Sequence, residues 1–262
     1  MLTLDLTGKR ALVAGSTQGI GLAAAQALAS MGASCTLIAR NESALGTALT
    51  MLNDRAKQSH RYLVADFSKP EELRRVVERA VQNERFDILV NNTGGPPAGP
   101  IVAATGEQFL AAFHQHLLCN HILATTLLPG MKDAKWGRIV NVISTSVKIP
   151  LKGLGVSNTI RGAVANWAKT LATEVGPFGI TVNNVLPGAT ATGRLDAILQ
   201  NKATKVAGGR DEAEAEMLAE IPAGRFGQPE EIAAAIAFLA SPAAGYINGI
   251  NLPVDGGRTG SL

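Results

Sequence analysis

The sequence predicts an α/β fold in which a parallel β-sheet carries helices on both faces. Two observations predict it. Short apolar runs typical of buried strands alternate with longer segments of helical periodicity along the whole chain. A glycine-rich turn at 15–21 joins the first apolar run to an Ala/Leu-rich segment. Because the 262 residues show no repeat, low-complexity segment or linker, we predict a single domain over residues 1–262.

The composition is that of an ordinary globular protein, with 46% hydrophobic and 17% charged residues. The net charge of +3 is mild and no Lys/Arg block occurs, so we expect no nucleic-acid partner. The N-terminus lacks the features of a signal peptide, and no run reaches the roughly 18 apolar residues of a membrane span. We therefore expect a soluble cytoplasmic protein without a membrane partner. Cys35 and Cys119 show neither metal-ligand spacing nor a disulfide framework, so we predict core thiols and no metal site.

The glycine turn is the first element that indicates function. Gly15 allows the chain to leave the strand with a positive φ. Gly19 removes a side chain where a pyrophosphate would approach the backbone, and Gly21 allows close packing of helix on strand. The helix N-terminus then offers free N–H groups and a positive dipole end to phosphate. The spacing differs from G-x-G-x-x-G, so the turn alone is equally compatible with an ordinary glycine-rich loop.

The later elements continue the alternation. Strands are predicted at 33–39, 61–65, 87–90, 138–143, 181–186 and 249–254, and helices at about 43–57, 70–83, 106–131, 157–175 and from 229. A polar insert that looks mobile occupies 190–221. In sheets of this kind ligands bind beyond the carboxyl ends of the strands. The residues predicted there are Gly15, Arg40, Asp66, Asn92, Ser144 and Pro187.

Arg40 directly follows the second predicted strand and indicates the cofactor. A site for NAD places a carboxylate at this point to accept from the ribose 2′-OH, whereas the 2′-phosphate of NADP favours a cation. The chain has no acidic residue here before Glu42. We therefore predict NADP(H). The alternative is that Arg40 only forms a surface salt bridge with Glu42.

In combination, these motifs resemble the short-chain dehydrogenase/reductase family over nearly the whole chain, and its 3-oxoacyl-acyl-carrier-protein reductase branch most closely. The resemblance implies a Rossmann-type, doubly wound sheet, a nicotinamide cofactor, a small-molecule carbonyl or alcohol substrate and a homotetramer. The matching segments are Gly15-x3-Gly19-x-Gly21, Asp66, Asn91-Asn92-Thr93-Gly94, Arg138-Ile-Val-Asn, Ser144, Asn183-x-Val-Leu-Pro187-Gly188, Gly227-x-Pro229-Glu230-Glu231-Ile232-Ala233 and Val254-Asp255-Gly256-Gly257.

The resemblance also implies roles for single residues. The glycine turn matches the pyrophosphate cradle, and Asp66 matches the acid that hydrogen-bonds the adenine amino group. The segment after the fourth strand matches the turn along the adenosine ribose, and the segment after the sixth flanks the nicotinamide. The implied cofactor contacts are Gly15, Ser16, Thr17, Gln18, Gly19, Ile20, Gly21, Arg40, Asp66, Phe67, Asn92, Thr93, Gly94, Arg161, Pro187, Gly188 and Thr192.

The family's catalytic pattern is broken in this chain. Its members use a serine followed by Tyr-x-x-x-Lys; Ser144 matches the serine, but Ser157 and Arg161 stand at the tyrosine and lysine positions. A serine hydroxyl is a far weaker acid than a phenol. Where the family usually has an asparagine we place His116, whose imidazole has the pKa for proton transfer near neutrality, although nearby Asn120 leaves that placement open.

Two functional hypotheses follow. The first is an NADP(H)-dependent oxidoreductase with a divergent proton donor: Ser144, Ser157, Arg161, His116 or a bound water. The second is an NADP(H)-binding protein with little or no redox activity, acting as a sensor, scaffold or silent subunit. The fold alone does not separate them, because function resides in the site. The cofactor turn and Ser144 are intact, so the enzyme is favoured.

The predicted homotetramer concerns two long helices, 106–131 and 157–175. The second carries Ala163, Val164, Trp167 and Leu171 at helical spacing. The family resemblance implies that these helices lie at a subunit interface.

Overall fold

The computed structural model describes residues 3–53, 57–204 and 206–261. This part of the chain forms one parallel sheet of seven strands in the order β3-β2-β1-β4-β5-β6-β7. The order reverses between β1 and β4, which makes the sheet doubly wound in the Rossmann manner and confirms the predicted fold class. The strands are β1 Arg10–Ala14, β2 Ser34–Ala39, β3 Arg61–Val64, β4 Ile88–Asn91, β5 Gly137–Val142, β6 Ile180–Pro187 and β7 Asn251–Val254.

Helices cover both faces of the sheet. Buried side chains of α1, α2 and α9 share one hydrophobic cluster, and those of α3, α5 and α6 share the cluster on the opposite face. Cys35 and Cys119 are buried free thiols in these two clusters, as predicted. The helices are α1 Gly19–Ser30, α2 Glu42–Leu49, α3 Pro70–Val81, α4 Gly106–Ala112, a π-helical segment Phe113–Leu118, α5 Cys119–Asp133, α6 Gly155–Val175, α7 Gly193–Ala203, α8 Gly209–Ala219 and α9 Pro229–Ala240.

The sequence of α3 shows why these elements form where they do. Pro70 occupies the first turn, where its fixed φ suits a helix and its missing N–H costs nothing. Leu73, Val77 and Ala80 recur every three or four residues and are buried on the sheet. The remaining positions are mostly charged, so the outer face of the helix stays in water.

A row of asparagine side chains links the four neighbouring strands β4 to β7 by hydrogen bonds. The amide of Asn91 donates to Asn141 (2.8 Å), Asn141 donates to Asn184 (2.9 Å) and Asn184 donates to Asn251 (2.8 Å). The four residues stand opposite one another on β4, β5, β6 and β7. Since a buried amide without a partner is costly, this row fixes the relative positions of the strands that end at the site.

Two element predictions differ from the structure. The polar insert 190–221, for which no helix was predicted, contains α7 and α8, which pack on each other through Leu195, Leu199 and Ala213. The helix expected at 43–57 ends at Leu49, and residues 54–56 of that prediction lie outside the described residues. The other predicted helices and strands agree with the structure to within about two residues at most ends.

The face of α6 that the sequence assigned to a subunit interface lies partly inside the chain. Val164 and Leu171 are buried in the core, so they are not available to a partner subunit. Trp167 is half-buried, and its Nε1–H donates to Nδ1 of His121 at 3.4 Å. The helical spacing correctly indicated an apolar face, but spacing does not tell whether a sheet or a partner covers that face.

Candidate cofactor and active site

The glycine turn between β1 and α1 leaves no room for a side chain at Gly15 or Gly21. Gly15 and Gly19 have positive φ angles of 58° and 54°. A Cβ on Gly15 would lie 2.5 Å from the carbonyl oxygen of Asn92, and one on Gly21 would lie 2.1 Å from the carbonyl oxygen of Gly15. The cap residue Gln18 makes no side-chain bond to the first N–H groups of α1. Those N–H groups are therefore free for an anion, which fits a dinucleotide pyrophosphate.

Two residues from distant segments close around this turn. The amide nitrogen of Asn92, just after β4, donates to the carbonyl oxygen of Gly15 at 3.1 Å. The Cγ2 of Thr192 lies 3.1 Å from the position of a Cβ built on Gly19. Both residues were predicted to contact the cofactor, and both lie beside the glycine turn.

The end of β2 offers an unpaired cation. Arg40 is exposed and forms no hydrogen bond or salt bridge with any described residue. Glu42 instead accepts from the Tyr62 hydroxyl at 3.2 Å, so the alternative Arg40–Glu42 salt bridge is not formed. Asp66 accepts from the backbone N–H of Ser68 at 2.9 Å, and this bond chiefly holds the pKa of Asp66 below its ordinary value, with a smaller contribution from the Arg40 charge.

Other residues that were predicted to contact the cofactor lie along the same edge of the sheet, where some of them already form hydrogen bonds within the chain. The buried hydroxyl of Ser16 accepts from the backbone N–H of Ile38 at 3.2 Å. Phe67 is half-buried, and its carbonyl oxygen accepts from the thiol of Cys119. Gly188 follows β6, and a Cβ there would lie 2.7 Å from the Cα of Asp255. Thr17 and Ile20 lie in the turn and at the start of α1, Pro187 ends β6, and Gly94 follows β4 in open space.

Arg161 on α6 reaches the ends of two neighbouring strands. Its Nη1 donates to the carbonyl oxygen of Val142 at 3.1 Å and its Nη2 to that of Thr93 at 3.4 Å. The residue is only 6% exposed. Burial, with a smaller contribution from the charge of Arg194, lowers its pKa to about 10. Arg161 therefore remains a cation at neutral pH.

His116 lies in the π-helical segment Phe113–Leu118, an irregularity that is frequent at functional sites. The side chain is buried, and its Nδ1 is hydrogen-bonded to Oγ1 of Thr93 at 2.5 Å. Its Nε2 has no partner among the described residues. Burial, followed by the charges of Arg161 and Arg194, lowers the pKa of His116 to about 2. The imidazole is therefore neutral at neutral pH, which disfavours it as a general acid.

The two serines lie on adjoining elements. Ser144 follows β5, is half-buried, and accepts from the backbone N–H of Ser146 at 3.1 Å. Because that bond uses only a lone pair, the hydroxyl hydrogen of Ser144 remains available to a substrate oxygen. Ser157 is buried one helical turn before Arg161 on α6.

Arg194 is a site residue that the sequence analysis missed. Its Nη2 donates to the carbonyl oxygen of Pro96 at 2.7 Å, and this nitrogen would lie 3.2 Å from a Cβ on Gly95. Burial lowers its pKa. A single arginine in a polar insert carries no sequence signal, since only the folded chain brings α7 over the segment that follows β4.

The described parts of the chain contain no group of three His, Cys, Asp or Glu side chains able to hold a metal ion. No helix within them is long and apolar enough to cross a membrane.

Comparison with known proteins extends over almost the whole chain. A family model described as enoyl-(acyl carrier protein) reductase matches residues 14–259. The 3-oxoacyl-acyl-carrier-protein reductase FabG of Vibrio cholerae is 35% identical over 256 residues, which cover 97% of this chain and 98% of that protein. The corresponding protein of Haemophilus influenzae is 34% identical over 254 residues, 96% of this chain and 98% of its own length.

Solved structures of reductases are similar to this chain as well. L-sorbose reductase from Gluconobacter frateurii, solved with NADPH and L-sorbose, has a TM-score of 0.92 at 31% identity and covers 100% of both chains. YwfH, an NADPH-dependent reductase involved in bacilysin biosynthesis, has a TM-score of 0.91 at 30% identity, covering 97% of this chain and 99% of that one. The chain thus belongs to the short-chain dehydrogenase/reductase family of oxidoreductases.

Proposed function

We propose that this protein is an NADP(H)-dependent oxidoreductase that interconverts a carbonyl compound and its alcohol. The observation that carries the proposal is the combination of the glycine turn, whose first helical N–H groups receive no side-chain cap, with Arg40 at the end of β2, which forms no salt bridge with a described residue. A 2′-phosphate gives this guanidinium a bidentate anionic partner, which a 2′-hydroxyl does not. The NADPH in the sorbose reductase structure supports the same choice of cofactor.

Each of the residues at the carboxyl ends of the strands then has a role in the reaction. When bound, the cofactor supplies a hydride to the carbonyl carbon of the substrate. Ser144 donates its hydroxyl hydrogen to the substrate oxygen, and Arg161 stabilises the negative charge that develops there and holds the nicotinamide ribose. Ser157 is a far weaker acid than a phenol, so it positions a water that relays a proton from the solvent to the substrate oxygen.

A second candidate is an NADP(H)-binding protein with little redox activity. It is favoured by the absence of a phenol at Ser157 together with the neutral state of His116, which leave no strong proton donor among the site residues. Loss of a positioned general acid costs about 10²–10⁴-fold in rate. We therefore expect slow turnover rather than none.

Of the substrate class, assembly and compartment, only the substrate class is indicated by the names of the relatives. The FabG relatives make 3-oxoacyl thioesters the first substrates to assay. We propose a homotetramer, whose mass light scattering would report, and action in the cytoplasm. A monomer at micromolar concentration would reject the assembly.

Fluorescence titration of NADPH and NADH tests the cofactor assignment. The unmodified protein should bind NADPH more tightly by roughly 10–100-fold, since hydrogen bonds between charged groups contribute about 1.5–3 kcal/mol. Arg40→Asp should abolish or reverse the preference. Arg79→Asp, on the exposed face of α3, is the matched control and should leave it unchanged. Equal affinities of the unmodified protein would reject the assignment.

NADPH oxidation in the presence of a 3-oxoacyl thioester separates the two candidate functions. For the enzyme, we expect slow, saturable oxidation that Ser144→Ala reduces without weakening NADPH binding. If NADPH binds but substrate-dependent oxidation is absent across a panel of ketones, the binding protein is the correct interpretation.

A further inference from the structure

Three basic side chains converge on the short segment 93–96 that follows β4. We call Arg161 and Arg194 the cationic cluster; His116, which is neutral at neutral pH, lies beside them. Arg161 donates to the carbonyl oxygen of Thr93, His116 is hydrogen-bonded to the Thr93 hydroxyl, and Arg194 donates to the carbonyl oxygen of Pro96. The three residues come from α6, the π-helical segment and α7, so the fold brings them together from distant parts of the chain.

The cationic cluster has no acidic counter-charge among the described residues. Neither Arg161 nor Arg194 forms a salt bridge with a described Asp or Glu. By contrast, the exposed Arg210 and Arg225 both pair with carboxylates at 2.7 Å. The two arginines of the cluster instead oppose each other, since the charge of Arg194 lowers the pKa of Arg161. Buried charges are rare unless they are paired, so this arrangement calls for an anion from outside the chain.

We propose that the substrate carries a carboxylate near its carbonyl group. Arg194 binds this carboxylate through hydrogen bonds, and the positive charge of Arg161 attracts it. The inference rests on the proposed oxidoreductase function and makes oxo acids its substrate class. Arg194 is half-buried and, among the described residues, uses one hydrogen bond to Pro96. A guanidinium has five N–H donors, so its remaining donors are free for a carboxylate. The unpartnered Nε2 of the buried His116 gives the same cluster a further polar contact.

The position of Arg194 favours a substrate anion over the cofactor pyrophosphate. Thr192 lies against Gly19, in the turn that cradles the phosphates. Arg194, two residues further on, lies instead over Gly95. The two side chains therefore serve different parts of the site, although both stand at the start of α7.

Binding of malonate, a dicarboxylate without a reducible carbonyl, tests the inference without turnover. Malonate is titrated into the NADPH complex and followed by cofactor fluorescence, with malonamide as the uncharged counterpart. We expect saturable malonate binding that Arg194→Gln weakens about tenfold or more, as the loss of charge-assisted hydrogen bonds predicts. Arg194→Lys, which keeps the charge, should restore part of the affinity. Arg79→Gln on α3 is the surface control and should have no effect.

Several results would overturn the inference. Malonate that binds no better than malonamide, or that binds Arg194→Gln with unchanged affinity, excludes a carboxylate on Arg194. Weaker binding of NADPH itself to Arg194→Gln, by the same factor, assigns the guanidinium to the pyrophosphate. An equal effect of Arg79→Gln shows non-specific binding of anions.

A second assay separates this inference from the proposed function. Acetoacetate and its methyl ester are compared as substrates by kcat/KM with NADPH. We expect the acid to be preferred about tenfold or more and the preference to disappear in Arg194→Gln. If both are reduced equally well, the oxidoreductase function stands and the carboxylate inference fails. If malonate binds as expected but neither compound nor any other ketone is reduced, the anion site stands and the proposed function fails.

Discussion

Replacing His116 by asparagine should make the protein less sensitive to acid. Burial lowers the pKa of His116 from 6.5 to about 2, so the folded state resists a proton that the unfolded chain accepts. The stability contributed by the neutral imidazole is complete above about pH 6.5 and is lost progressively as pH falls towards the folded pKa of about 2. Between pH 7 and pH 5 this linkage removes about 2 kcal/mol from the free energy of unfolding.

Urea unfolding at fixed protein concentration measures this effect. The unmodified protein and His116→Asn are compared at pH 7 and pH 5, because other groups contribute equally to both proteins and cancel. His114→Asn, at an exposed position two residues away, is the matched control and should keep the full pH dependence. If His116→Asn loses as much stability as the unmodified protein on acidification, the buried imidazole is not protected from protonation and the reasoning is wrong.

Three further predictions concern the turn, the catalytic positions and the thiols. Gly21→Ala places a Cβ 2.1 Å from the carbonyl oxygen of Gly15, so it should lower the melting temperature and weaken NADPH binding, measured by thermal unfolding and fluorescence. Ser157→Tyr with Arg161→Lys introduces the family's acid and its partner, and NADPH oxidation should rise about 10²-fold or more if the ring fits; no increase would place the proton donor elsewhere. Burial raises the pKa of Cys35 and of Cys119 to about 12. The native protein should therefore resist thiol reagents at pH 8, whereas both cysteines should react in the protein unfolded in urea.

Much of the fold could be predicted because its signals are local. Residues 11–14 of β1 and 88–90 of β4 are unbroken apolar runs, as expected where both faces of a parallel sheet are covered. The two helices of the polar insert were not predicted, because α7 and α8 have only weak apolar faces. They become stable by packing Leu195 and Leu199 against Ala213 in a small core of their own. Periodicity within a single segment does not show such mutual burial.

The candidate site likewise contains some features that the sequence predicts and others that only the folded structure shows. The glycine turn and Arg40 are recognisable because each stands directly after a strand, where the topology fixes its position. Two features needed tertiary structure: Arg194 meets the segment after β4 only in the folded chain, and the neutral state of His116 results from burial and neighbouring charges. The sequence suggested His116 as a proton donor from its ordinary pKa, and its surroundings change that interpretation.

Isotope transfer tests the central claim most directly. NADPH that carries deuterium at the transferred position of nicotinamide C4 is incubated with the protein and a panel of ketones that includes acetoacetate and a 3-oxoacyl thioester. Mass spectrometry of the products then locates the label. The proposed function predicts an alcohol with deuterium on the former carbonyl carbon, formed more slowly by Ser144→Ala. Bound NADPH that yields no labelled alcohol above the level of heat-inactivated protein would contradict the claim.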